Sequence, residues 1–167
     1  MKTTHHTGLS VEDALIDYCD WRASSKEDNI HKDIDAWDRD NVSYSIKYQP
    51  TCLRTGNIAL ETTLIDPRTD ESIPSWFHVG EAEKYAFVIG REVFEFDKKE
   101  MREWVIAQNA KDKFRKTKLT NSDRIASNVG RKYSQSVCLL IPLSRLIEDK
   151  IVSARYALDD YFTSLLK

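Results

Sequence analysis

The sequence predicts an α/β protein, a single domain over 1–167 with a mixed central sheet flanked by helices. Three observations predict it. Apolar residues recur at helical spacing near the start, at Val11, Ala14, Leu15, Tyr18 and Cys19. Strict two-residue alternation follows, with Val42, Tyr44, Ile46 and Tyr48 against Ser43, Ser45, Lys47 and Gln49. A continuous apolar run from Val137 to Leu143 then reads as a central buried strand, stopped at Pro142.

Ser10 is the expected cap of the first helix, with Glu12 and Asp13 in its first turn, and the helix is expected to end near Ser24-Ser25. Lys26 to His31 is polar and reads as a loop. Asp33 to Asp38 reads as a short strand and the turn-prone Arg39-Asp-Asn41 joins it to Val42–Gln49 as a hairpin. Gly56-Asn57 opens a third strand, Ile58 to Ile65, expected beside the second as a meander. Arg68 to Ser75 is turn-rich. Tyr85–Ile89 and Glu92–Phe96 form a second hairpin around Gly90-Arg91. Asp97 caps a helix from Lys98 to about Asn109 with Met101, Trp104, Val105 and Gln108 as its buried stripe. Asn121-Ser-Asp123 is expected to cap a short helix ending before Gly130. Ser144 to Leu166 reads as one long amphipathic helix, with Leu146, Ile147, Ile151, Ala154, Leu158, Tyr161, Phe162 and Leu165 on one side.

A length of 167 residues suffices for one domain with a real core. No apolar run reaches the length of a membrane span. Met-Lys-Thr-Thr-His-His-Thr-Gly at the N-terminus lacks the apolar core of a signal peptide. Three separated cysteines favour free thiols in a reducing compartment, so the cytoplasm is the expected address. No Cys-x-x-Cys or His-x-x-x-His pair is present to seed a zinc site. Net charge is −2, which argues against coating nucleic acid by bulk attraction, but its distribution is uneven. Ser10–Asp40 carries ten acids against four bases, and Lys98–Lys132 eleven bases against four acids. Lys113, Arg115, Lys116, Lys118, Arg131 and Lys132 are the candidate phosphate contacts, or else a solvated basic surface.

The candidate chemistry sits between Lys32 and Glu61. Hydrolysing a phosphodiester requires neutralising charge on the phosphoryl oxygens and generating hydroxide near neutral pH, which a divalent cation supplies. Magnesium takes hard oxygen ligands and keeps several waters, so two or three carboxylates suffice. Asp33 and Asp35 share a face of the first expected strand, Lys47 lies on the second and Glu61 on the third. Neighbouring strands would let Asp35, Lys47 and Glu61 converge, with Lys47 orienting a water or steadying developing charge. The bland reading is a solvent-facing sheet surface. Glu12 is either a further acid of such a site or simply a helix-dipole residue. Cys52, near Lys47 and Arg54, is a candidate for an acidified thiol with no base beside it. Trp37, Tyr44 and Tyr48 read first as packing residues, with base stacking as the lesser alternative.

Asp33-Ile-Asp35, Ser45-Ile-Lys-Tyr-Gln49 and Thr55-Gly-Asn-Ile-Ala-Leu-Glu61 together resemble the PD-(D/E)xK nuclease superfamily, and most of all its small phage-type and Holliday-junction-resolvase-like members. The resemblance covers roughly Val11–Trp104 in element order, and its motifs are confined to Lys32–Glu61. It implies a restriction-endonuclease-like fold and a magnesium-dependent DNA endonuclease or exonuclease, with manganese as substitute, encoded by a phage or mobile element. Asp35 and Glu61 would hold the metal with Asp33 or Asp38 assisting, Lys47 would position water, and Gln49 would orient it or touch the phosphate. Such enzymes often form homodimers, for which the long C-terminal helix offers an interface or else a face for the sheet. The chain departs from the family where Glu-x-Lys becomes Ser45-Ile-Lys47. Either Glu61 supplies the displaced carboxylate, or the protein is an inactive nuclease-fold chain that binds DNA or a host protein, such as a phage inhibitor of a host defence complex. A plain structural or assembly protein is the third reading.

Overall fold

The computed structural model describes residues 8–120 and 132–167, so the expected helix after Asn121 lies outside the described residues. In chain order the first elements are α1 (Val11–Tyr18), β1 (Arg22–Ala23), α2 (Lys26–Lys32), β2 (Ala36–Trp37), β3 (Ser43–Tyr48) and α3 (Cys52–Thr55). There follow β4 (Asn57–Ile65), β5 (Ser72–Pro74), α4 (Trp76–Val79), β6 (Lys84–Ile89), β7 (Glu92–Asp97) and α5 (Lys98–Asp112). The last are β8 (Lys116–Thr120), β9 (Gln135–Pro142), α6 (Leu143–Glu148), β10 (Val152–Ala157) and α7 (Asp160–Leu165). The class is α/β, with a mixed six-stranded sheet, a second sheet of four strands, and helices. No helix among the described residues is long and apolar enough to cross a membrane. The chain gathers into two compact units, one of Met1–Pro50, Ala82–Lys98 and Val152–Lys167, the other of Thr51–Glu81 and Lys99–Ile151.

The first unit holds the sheet β1-β2-β3-β6-β7-β10, antiparallel except for β3 against β6. The alternation of β3 does what its sequence predicts on one side: Tyr44 and Ile46 join Ala86, Val88, Ala14, Leu15, Ile16, Leu158 and Phe162 in one core cluster. Burying each large apolar side chain there contributes about 1.5–3 kcal/mol. The Ser10 hydroxyl accepts from the Asp13 N–H and starts α1 as expected. The helix stops at Tyr18, short of Ser24, because Asp20 adopts a left-handed backbone (φ 54°). Trp21 then leaves the helical path and stacks on Tyr44, ring centres 4.2 Å apart.

Residues 26–31, expected as a loop, are helical. No residue of α2 is buried, so no apolar period announces it. Local chemistry holds it: the Ser25 hydroxyl accepts from the Asp28 N–H, Glu27 and Asp28 sit in the first turn, and Lys32 pairs with Asp28 at 2.8 Å. Asp33 closes it in a left-handed conformation (φ 54°, ψ 43°), which shortens the expected Asp33–Asp38 strand to Ala36–Trp37.

In the second unit the sheet order is β5-β4-β9-β8, all antiparallel. The expected meander is not formed, since β3 pairs with β2 and β6 while β4 pairs with β5 and β9. Between Tyr48 and Asn57 the chain makes α3 and turns at Gly56 (φ 72°), which no two-residue hairpin could accommodate. β6 takes the open edge of β3, with Tyr44 opposite Lys84 and Ile46 opposite Ala86. β9 is an interior strand as expected, between β4 and β8. β5 occupies part of the turn-rich Arg68–Ser75 stretch. Met101 and Val105 are the buried positions of α5, and the half-buried Trp104 indole donates to Asp149 at 2.8 Å.

The single long C-terminal helix is also corrected. α6 ends at Glu148, Lys150 turns left-handed (φ 59°), β10 pairs antiparallel with β7, and Asp159 caps α7 through the N–H groups of Tyr161 and Phe162. Ile151, Ala154 and Leu158 fit a helical stripe on paper. Val152, Ala154 and Tyr156 fit a strand equally well, and pairing with β7 decides for the strand. The interface proposed for that helix therefore has no helix to rest on.

Candidate active site

Three elements of the first unit bring charged side chains together. α1 presents Glu12 from its first turn. The stretch leaving α2 supplies Asp33 and Asp35, and β3 supplies Ser45 and Lys47. Asp33 reaches the cluster through its left-handed turn, so it does not share a strand face with Asp35 as the alternation implies. Its carboxylate accepts from the Lys47 ammonium at 2.6 Å and from the Ser45 hydroxyl at 2.7 Å. The ion pair is mostly shielded, with side-chain exposures of 17% for Lys47 and 20% for Asp33, so water screens it less than a surface pair.

Asp35 is buried and held from two directions. Its carboxylate accepts from the Asn29 side-chain amide of α2 and from the Ile46 backbone N–H, each at 2.5 Å, while its own N–H donates to the Tyr44 carbonyl. The Glu12 carboxyl of α1 lies close enough to Asp35 for the two groups to influence each other. Burial first, and then the neighbouring Asp35 charge, push the Glu12 carboxyl up to about 7, against the pull of Lys47. Burial also raises Asp35 above the ordinary carboxylate range, opposed by Lys47 and the Ile46 N–H. Burial penalises charge on both carboxyls, so each shifts toward its neutral form.

Gln49 follows the end of β3, half-buried, its N–H donating to the Val88 carbonyl. Glu61 belongs to the second unit. It is buried on β4 beside a register shift between Glu61 and Thr63, and accepts a short hydrogen bond from the Ser75 hydroxyl. The strand pairing expected to set it beside Lys47 is absent. Asp38 is committed to its turn, accepting from the N–H groups of Asp40 and Val42 at 2.9 Å each.

The basic candidates also belong to the second unit. Lys113 turns left-handed after α5 (φ 44°), Arg115 is exposed, and Lys116 and Lys118 stand exposed on the edge strand β8. Lys132 pairs with Glu71 at 2.7 Å, and Arg131 lies outside the described residues. Cys52 is buried, and burial raises its thiol, against the expected acidification.

Hard oxygens dominate the first-unit cluster. Among the described residues no three His, Cys, Asp or Glu side chains form a complete metal cage. Two carboxylates with waters nevertheless fit magnesium, which retains much of its hydration. Two neighbouring acids whose burial disfavours their negative charge make a place where a cation would be favoured. Asn29 was invisible as a site residue in the sequence because the helix carrying it has no apolar period; the Ser25-to-Asp28 capping pattern was its one local signal. No protein-family model, curated protein or solved structure matches the chain.

Proposed function

We propose that the chain is a magnesium-dependent deoxyribonuclease of the PD-(D/E)xK type, phage- or mobile-element-encoded and acting in the cytoplasm of its host. The observation that carries this reading is that Asp33 and Asp35 are both held against β3, Asp33 on the Lys47 ammonium and Asp35 on the Ile46 N–H, with Glu12 of α1 beside them. Glu12 and Asp35 would hold the cation, whose bound form supplies charge neutralisation at the phosphoryl oxygens and a more acidic water. Asn29 and the Ile46 N–H fix the Asp35 carboxylate, leaving lone pairs on its oxygens for a further partner. Lys47, steadied by Asp33, would orient the attacking water or stabilise charge on the phosphate. Ser45 stands where the family's Glu-x-Lys motif carries its acid and holds Asp33 in its place.

The test is cleavage of duplex, single-stranded and four-way-junction DNA in magnesium and in manganese. The parent is expected to cut at least one of them, and Lys47→Ala and Asp35→Asn to lose at least about 100-fold in rate. A folded parent that cuts none would overturn the reading. Two features favour a second reading, an inactive nuclease-fold protein that binds DNA or a host protein. Lys47 is already ion-paired to Asp33, and serine replaces the motif acid. Under it, a phosphate-like surface would not come from Asp33, Asp35 and Asp38, which are respectively ion-paired, buried and committed to a turn.

A further inference from the structure

A second concave feature lies in the same unit as the carboxylate cluster. Asp20, Arg22, Trp37, Asp38, Arg39 and Asn41 line an open cleft of about 240 Å³. Trp37 ends β2, two residues beyond Asp35, and a strand rise of about 3.3 Å per residue sets it roughly 7 Å along the chain, the scale of one nucleotide step. Arg22 is its cross-strand partner, with the guanidinium carbon 6.0 Å from the Trp37 ring centre. Arg22 also makes a long hydrogen bond to Asn41, 3.4 Å. Arg39 pairs with Asp20 at 2.6 Å, but both side chains are about four-fifths exposed. Such a pair contributes little and opens at small cost. The remaining acid, Asp38, is turned inward onto the N–H groups of its own turn.

The cleft thus offers the Trp37 indole with the Arg22 guanidinium over its ring, a second arginine in a weak pair and an asparagine amide. Its volume lies below the roughly 300–1,000 Å³ of pockets that enclose a drug-sized ligand. A single unstacked nucleobase with its flanking phosphates has the matching chemistry: a π-face for the indole and anionic oxygens for the guanidinium groups. In a duplex that π-face is covered by the neighbouring base pairs. We infer that this cleft receives one base of a single-stranded DNA segment, stacked on Trp37 with its backbone on Arg22 and Arg39; the inference rests on the deoxyribonuclease reading above and specifies its substrate as having a single-stranded stretch at the site.

The experiment is fluorescence-anisotropy binding of a labelled oligothymidylate to the full chain in EDTA, where no metal-dependent cleavage occurs, over a series of salt concentrations. The parent is expected to bind, Trp37→Ala to weaken binding by roughly ten-fold, and Trp37→Phe, which keeps a ring, to stay within a few-fold of the parent. Arg22→Ala and Arg39→Ala should each lower the slope of log affinity against log salt by about 0.7. Binding by the parent that all four variants leave unchanged would overturn the inference. So would a parent that cuts duplex DNA in magnesium yet does not bind the oligothymidylate, and that result would leave the nuclease reading standing. A folded parent that neither binds nor cuts any DNA would overturn both.

Discussion

Glu12 shows how much a single residue's role depends on what lies opposite it. In the sequence it is an acid in the first turn of a helix, well placed for the dipole. In the fold it lies beside Asp35, and burial lifts both carboxyls above their ordinary range. The consequence for stability has a definite sign. The Glu12 carboxyl sits near 7 in the fold against an ordinary 4.5, so between these values the folded chain keeps a proton that the unfolded chain releases. The stabilisation is complete below about 4.5 and is lost as pH rises through about 7, and Asp35, also raised, acts in the same direction. Urea unfolding in metal-free buffer at pH 5 and pH 7.5 should show the parent losing stability over this interval. Glu12→Gln, which keeps a hydrogen-bonding side chain without the titration, should flatten the dependence; an unchanged slope would mean that the Glu12 carboxyl is not raised in the fold.

At the scale of elements, the parts with strong local signals formed where expected. Ser10 starts α1, Gly90-Arg91 turns the β6–β7 hairpin, and the apolar run from 137 to 142 is an interior strand. The misread elements share a physical cause. α2 is made by capping and charge rather than by an apolar face, and the C-terminal stretch satisfies helical and strand periods together. Lys150 provides a test of the second case. A non-glycine residue in the left-handed region costs about 1–2 kcal/mol, so Lys150→Gly should stabilise the chain, by roughly 1 kcal/mol in thermal or urea unfolding. Were residues 144–166 one continuous helix, the same change would destabilise by about 1 kcal/mol, so the sign alone decides.

At the scale of the whole molecule, the first unit draws on three separated chain segments and the second on two, and ligand binding to any site that exists only in the fold stabilises the chain against unfolding. Magnesium at 100 times its dissociation constant would add about 2.7 kcal/mol. A thermal melt with and without magnesium should therefore show an upward shift in the parent and none in Asp35→Asn; equal shifts in both would remove Asp35 from any metal site. By itself, the sequence determined the α/β class, the first helix and its cap, the alternation that puts Lys47 opposite an apolar face, and the presence of acids and a lysine in one short stretch. These are properties of near neighbours, readable from capping chemistry and period. Tertiary structure alone decided that β6 rather than β4 lies against β3, that Glu61 belongs to the second unit, and that Glu12 rather than a strand acid faces Asp35. Each of these turns on pairing between residues far apart in the chain, where several partners satisfy the same local pattern and only burial and complete backbone hydrogen bonding choose among them.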